Sequence, residues 1–252
     1  MYLKKKLSEK LVVVVFEGLM LFDLVVVDRR YVNNDNFVSA LEVKKPYQAN
    51  EADLEILKDT THFRVFDLTS SSTKASYFHN SLSGYHAAKL KRYDELFDFY
   101  IQNNHLGVLN MLNTKYIIQA ADDGKPIAYN NPDANGNTWF VEELKLVNSA
   151  NEEIKILDSL NTKKQIVMLA NRDIVEDTSN NYEFVVDSTT SISVIEYKPN
   201  YIKYKSINSK GGFAVFSEIY YKEGWQAYID GIKTRHIRVN YVLRGMEIPL
   251  GS

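Results

Sequence analysis

The stretch from Phe213 to Gly251, FAVFSEIYYKEGWQAYIDGIKTRHIRVNYVLRGMEIPLG, is the most strongly patterned part of the chain. Its side chains alternate with the period of two that a half-buried strand requires. Val215, Ser217, Ile219 and Tyr221 fall on one face of the first strand, and Phe216, Glu218 and Tyr220 on the other. Gly224 turns the chain, and Trp225, Ala227 and Ile229 then alternate with Gln226, Tyr228 and Asp230. Asp230-Gly231 is a two-residue hairpin signal, because both residue types tolerate positive φ. A further strand carries Arg238 and Asn240, and Arg244 precedes Gly245. Three or four such strands in succession have few options. They pair antiparallel and close a β-sandwich, jelly-roll-like in outline.

The segment before it has the same texture. Ser191 to Tyr197 and Tyr201 to Ile207 read as strands joined by a Lys-Pro-Asn turn, and Asn208 to Gly212 makes the next turn. Residues 171–190 are weakly patterned, and a domain boundary is expected there, between 175 and 176. Upstream the pattern is mixed. EADLEILKD at 51–59 suits one short helix, and FRVFDL at 63–68 a strand. Ser83 is a candidate N-cap for a helix beginning near Tyr85, with Tyr93, Leu96, Phe97, Tyr100 and Ile101 at core-facing spacing. Lys89, Arg92 and Asp94 fall on its outer side. LGVLNMLNTKYIIQA predicts a short helix running into a strand at 115–120, and Asp123-Gly124 turns it back through 127–129. TWFVEELKLV at 138–147 reads as one strand, Ser149 caps a helix through Leu160, and 165–170 is another strand. The fold class is therefore α+β: a mixed α/β subdomain at 31–175, then a β-sandwich at 176–252.

The start is different. Lys4, Lys5, Lys6 and Lys10 precede an apolar run from Leu11 to Val27 that Glu17 and Asp23 interrupt. As a helix it would be about 25 Å long, slightly short for a bilayer core. Its Leu, Val and Phe residues favour insertion by about −6 kcal/mol in total, and the two acids oppose it by about +3 each. The balance is near zero. Residues 1–30 are thus either a buried segment of a soluble domain or the end of a membrane helix whose acids other helices shelter. If it spans, the lysines before it and only Arg29 and Arg30 after it put residues 31 onward outside the cytoplasm.

Two groups of residues offer chemistry. Tyr85, His86, Lys89 and Arg92 bring a phenol, an imidazole and two cations within two helical turns, and Lys89 and Arg92 would share a face suited to a phosphate or sugar acid. The plainer reading is a solvated basic face. In the patterned stretch, Glu218, Asp230, Arg238 and Arg244 form a candidate polar cluster. Pairing among themselves is the ordinary role of such groups, and sugar binding with Trp225 or Tyr228 as stacking platform is the sharper one. There is no Walker loop, nucleotide-binding glycine triplet, HExxH or Gly-x-Ser-x-Gly elbow, so neither a cofactor nor a catalytic residue is assigned. The chain has no cysteine, and His62, His79, His86, His105 and His236 are not at metal-ligand spacing, so no metal is assigned. A net charge of −2 gives no global attraction to nucleic acid.

SYFHNSLSGYHAAKLKRY, LGVLNMLNTKYII, GNTWFVEELKLV, FSEIYYKEGWQAYIDG and HIRVNYVLRGMEIPLG, in this order, resemble the C-terminal part of the bacterial YfhO-like membrane proteins, closest to the large Bacteroidetes type. The resemblance covers most of residues 22–251. It implies a multi-pass protein of the bacterial inner membrane, related in architecture to glycosyltransferases that use lipid-linked sugars. This chain would be its extracytoplasmic, periplasmic part, with the catalytic acid upstream and the last sandwich strand missing. Its partners would be the membrane half of the parent protein, a cell-envelope glycan and, through an unpaired edge strand, a second copy. The alternative is a self-contained carbohydrate hydrolase that uses two carboxylates.

Overall fold

The computed structural model describes residues 8–84, 87–170 and 182–251. The chain divides into two units, Met1–Gln48 and Ala49–Ser252.

In the first unit, α1 (Glu9–Tyr31) starts where the Ser8 hydroxyl accepts from the Leu11 N–H at 3.3 Å. Glu9 in its first turn and Arg29 and Arg30 in its last complement the helix dipole. Apolar side chains project from α1 in every direction and none is buried; Phe16 and Phe22 are 63% and 71% exposed. No helix among the described residues is long and apolar enough to cross a membrane. In α1 the reason is charge. Any stretch long enough to span takes in Lys10 or Asp28 as well as Glu17 and Asp23. After a 3-10 turn at Asn34–Asn36, α2 (Ala40–Lys44) is closed by a Ser39–Glu42 capping box.

The second unit begins with α3 (Glu51–Ile56), β1 (Arg64–Asp67), α4 (Ser72–Phe78) and α5 (Lys91–Leu96), which runs into a π-helical turn at Phe97–Ile101. Next come α6 (Leu106–Met111), β2 (Thr114–Ala120), β3 (Pro126–Asn130), β4 (Thr138–Val141), β5 (Glu143–Val147), α7 (Ala150–Ile156) and β6 (Gln165–Leu169). The rest is strand: β7 (Tyr182–Glu183), β8 (Ser191–Lys198), β9 (Tyr201–Ile207), β10 (Gly212–Ile219), β11 (Ala227–Ile229), β12 (Ile232–Thr234), β13 (Ile237–Val239) and β14 (Leu243–Ile248).

Three features depart from the sequence expectation. The run 138–147 is two strands, not one. Val141 pairs with Phe213 in one sheet, and Glu143 pairs with Gln165 in another. Glu142 is the pivot, its N–H bonded to Lys164 O and its carbonyl to the Phe184 N–H. Second, α5 starts at Lys91 with Leu90 as N-cap, so Lys89 precedes the helix and shares no helical face with Arg92. Third, Arg92 is not a free surface cation but is partly buried and pairs with the buried Glu153. The expected domain boundary between 175 and 176 lies outside the described residues.

The fold is α+β, with antiparallel sheets stacked sandwich-like. Its centre is the sheet ordered β13-β14-β10-β4. One face, with Phe213, Val215, Val239 and Leu243, joins the helices, β5 and β6 in the main core. The other face, with Phe140, Ala214, Phe216, Met246 and Ile248, is covered by Ile192 and Tyr204 of the β8–β9 hairpin and by Ala227 and Ile229 of the β11–β12 hairpin. A strand buried on both faces explains why alternation in 213–219 separates two apolar sets rather than apolar from polar. Each fully buried Val, Leu or Phe contributes about 1.5–3 kcal/mol. The main core takes residues from Phe66 through Leu243, so sequence-distant halves share one interior. Close packing sets one glycine: a Cβ on Gly245 would lie 2.5 Å from the Phe213 ring and 3.0 Å from Val239 Cγ1.

Candidate functional site

The site is assembled at the end of the central sheet where β10 leaves it. The register between β10 and β14 shifts between Phe216 and Ile219, and this bulge aims Glu218 toward β1. Glu218 Oε1 lies 3.3 Å from His62 Nε2, and Oε2 lies 3.6 Å from Arg64 Nη2, with all three side chains less than 20% exposed. Arg64 Nη1 also donates to the carbonyls of Leu112 at 2.8 Å and Ser217 at 2.9 Å, which locks β1 to the end of α6 and to β10. The His62 ring stacks on Tyr197 of β8 with centroids 3.5 Å apart. Tyr204 of β9 sits edge-on to Phe216. On the far side, the Arg244 guanidinium lies over the Trp225 ring, 4.3 Å from its centroid, and Nε donates to Ile219 O at 3.0 Å.

Charge follows from this geometry. Burial alone would push the Glu218 carboxyl up. The hydrogen bond from His62 and the charges of Arg64, His62 and Arg244 outweigh it and hold the group below the usual carboxylate range. Glu218 is thus kept ionised, which suits recognition or scaffolding and is the wrong direction for a proton donor. Burial and then the Glu218 charge push Tyr204 up, so its phenol stays protonated. Burial pushes the Arg244 and Arg238 guanidiniums down from their usual range, and burial followed by the Arg244 charge does the same to His236.

Of the residues singled out from sequence, Glu218, Trp225 and Arg244 meet here. Arg238 of β13 lies directly across from Arg244 and over the Tyr220 ring at 5.8 Å, and Tyr220 lies 5.4 Å from His236. Tyr228 and Asp230 belong elsewhere, on the β11–β12 hairpin. Tyr228 is exposed, its hydroxyl 3.0 Å from Gln226 Oε1. Asp230, at φ 48°, makes the expected turn with Gly231 and lines an open cavity of about 710 Å³ with Lys210, Glu247 and Phe184. Lys89 pairs with Asp94 at 3.0 Å on the surface. Arg92 holds Glu153 at 2.6 Å and lies over the Tyr241 ring. Tyr85 and His86 lie outside the described residues. Sequence reading missed His62, Arg64, Tyr197, Tyr204 and His236. The available signal was the His-x-Arg spacing on the FRVFDL strand edge, which sets both side chains on one face.

Among the described residues no group of three or more His, Asp or Glu is arranged to hold a metal ion. No protein-family model matches the chain, no curated protein matches it, and no solved structure matches it.

Proposed function

We propose that this chain is a non-catalytic, membrane-proximal module of a glycosyltransferase-like multi-pass membrane protein, on the periplasmic side of the bacterial inner membrane, where it binds or orients a cell-envelope glycan. The observation that carries the reading is α1. A helix that is apolar all round needs a covering, and α1 has no buried residue. Helices of a membrane half would supply that covering and shelter Glu17 and Asp23. The lysines ahead of the helix favour the periplasmic side for residues 31 onward. The ordered motifs that resemble the YfhO-like proteins agree with this setting. The ionised, cation-flanked Glu218 and the aromatic rings around it favour recognition over catalysis.

The test is flotation of the full chain with vesicles, alongside titration with envelope polysaccharide fragments. The chain should float with vesicles, and Glu17→Leu/Asp23→Leu should float more completely, since about 6 kcal/mol of insertion penalty is removed. An unchanged aqueous distribution of both proteins, with no saccharide bound, would overturn the reading.

A further inference from the structure

Arg238 and Arg244 are Cα partners on the antiparallel pair β13–β14, so their side chains leave the same face of the sheet. Like charges directly opposite one another destabilise a sheet. Among the described residues no carboxylate lies within ion-pair distance of either guanidinium, although Glu218 acts on Arg244 and Glu153 on Arg238 from further off. The nearby acids are already paired. Glu218 faces His62 and Arg64, and Glu153 faces Arg92. Arg238 and Arg244 are therefore left without an ion pair of their own: Arg238 lies near the Arg92–Glu153 pair, and Arg244 near Glu218 and Arg64.

The surroundings are those of a ligand site rather than of a solvated surface. Both arginines are half-buried, and burial holds both below the usual guanidinium range. Arg244 is oriented by the Trp225 ring beneath it and by its bond to Ile219 O. Arg238 is oriented by Tyr220. His236, two residues before Arg238 and next to Tyr220, has its Nε2 shut off from solvent with no hydrogen-bond partner among the described residues. Two oriented forks, an unpartnered imidazole nitrogen and an indole ring are the parts that grip an anionic group on a planar or ring-shaped molecule.

We propose that Arg238 and Arg244, with His236, Tyr220 and Trp225 around them, form a subsite for the acidic group of a saccharide, a carboxylate or a phosphate. This rests on the glycan-binding reading above and narrows it to acidic glycans. The arginine pair is then a stability defect kept for binding.

The experiment is calorimetric titration of the full chain with four probes: a hexuronate trisaccharide, a neutral hexose trisaccharide of the same linkage, a hexose phosphate, and inorganic phosphate. An acidic saccharide should bind about tenfold or more tightly than the neutral one, and less so as salt is raised. Preference for the hexuronate identifies a carboxylate, and preference for the hexose phosphate a phosphoryl group. Arg238→Gln carries the test, because Arg244 also holds Ile219 O. It should abolish the preference and melt, without ligand, at or above the temperature of the unmodified chain. A purely structural Arg238 predicts the opposite on both counts. Arg238→Lys should keep the preference, a control independent of the melting temperature of Arg238→Gln. Neutral and acidic probes binding equally would overturn this inference and leave the glycan reading standing. No saccharide binding at all would overturn both. Inorganic phosphate binding as tightly as the hexose phosphate would overturn the saccharide assignment.

Discussion

Replacing Arg92 by Met removes the cation that faces a buried carboxylate. Glu153 is 1% exposed, and its Oε2 accepts from Arg92 Nη1 at 2.6 Å. Its Oε1 accepts from the Tyr241 backbone N–H at 3.2 Å. The Arg92 guanidinium also lies 4.4 Å from the Tyr241 ring centroid, and Met keeps part of that packing. What is lost is charge compensation. Stranding one member of a buried pair costs about 3–5 kcal/mol. Arg92 is itself 23% exposed, so water reaches the pair and the lower end, about 3 kcal/mol, is expected. For a domain of this size 1 kcal/mol moves Tm by about 2–4 °C, so Arg92→Met should melt roughly 6–12 °C low. Glu153→Gln keeps an acceptor for Tyr241 without a charge. The double variant Arg92→Met/Glu153→Gln should therefore melt closer to the unmodified chain than Arg92→Met does. Circular dichroism melts of the four proteins at neutral pH close the cycle. Arg92→Met melting within about 2 °C of the unmodified chain, or strict additivity in the double variant, would refute the reasoning.

Two further outcomes concern the central sheet. Gly245→Ala puts a methyl group into the Phe213 ring and against Val239, so urea titration should show a loss of about 1–3 kcal/mol. Glu218 has a folded pKa below the unfolded one. Its contribution to stability is thus fully present above the ordinary carboxylate range, about pH 4.3, and is lost as pH falls through the lowered folded value. Glu218→Gln should flatten the acid limb of stability against pH, and an unchanged acid limb would count against the His62–Glu218–Arg64 network.

Local elements were legible wherever one physical signal was enough. The Ser149 cap, the Asp123-Gly124 and Asp230-Gly231 hairpins, and the alternation of 191–197 and 201–207 all appear as read. Each depends on neighbours within a few residues. Misreadings arose where distant partners decided. Glu142 looks like any residue of one long strand until the Lys164 carbonyl and the Phe184 N–H claim its two backbone groups. Arg92 looks like a surface cation until α7 brings Glu153 against it. Asn240, read as an ordinary strand residue, is at φ 47° and bonds both ways to Val167 of β6, through its N–H at 2.8 Å and its Oδ1 at 2.9 Å.

The candidate site divides along the same line. Glu218, Trp225, Arg238 and Arg244 were visible in 213–251 because density of polar and aromatic groups is a property of composition. That they separate into an ion-paired Glu218 and two arginines with no ion pair of their own was not visible. That depends on His62 and Arg64, some 150 positions earlier in the chain, being carried to Glu218 by β1. Sequence alone determined most of the strands, the hairpin turns, the apolar start and the α+β class, since local periodicity and turn chemistry suffice for these. Tertiary structure alone decided which charges cancel, because Coulomb and desolvation terms depend on distance and burial, and neither is encoded in spacing along the chain.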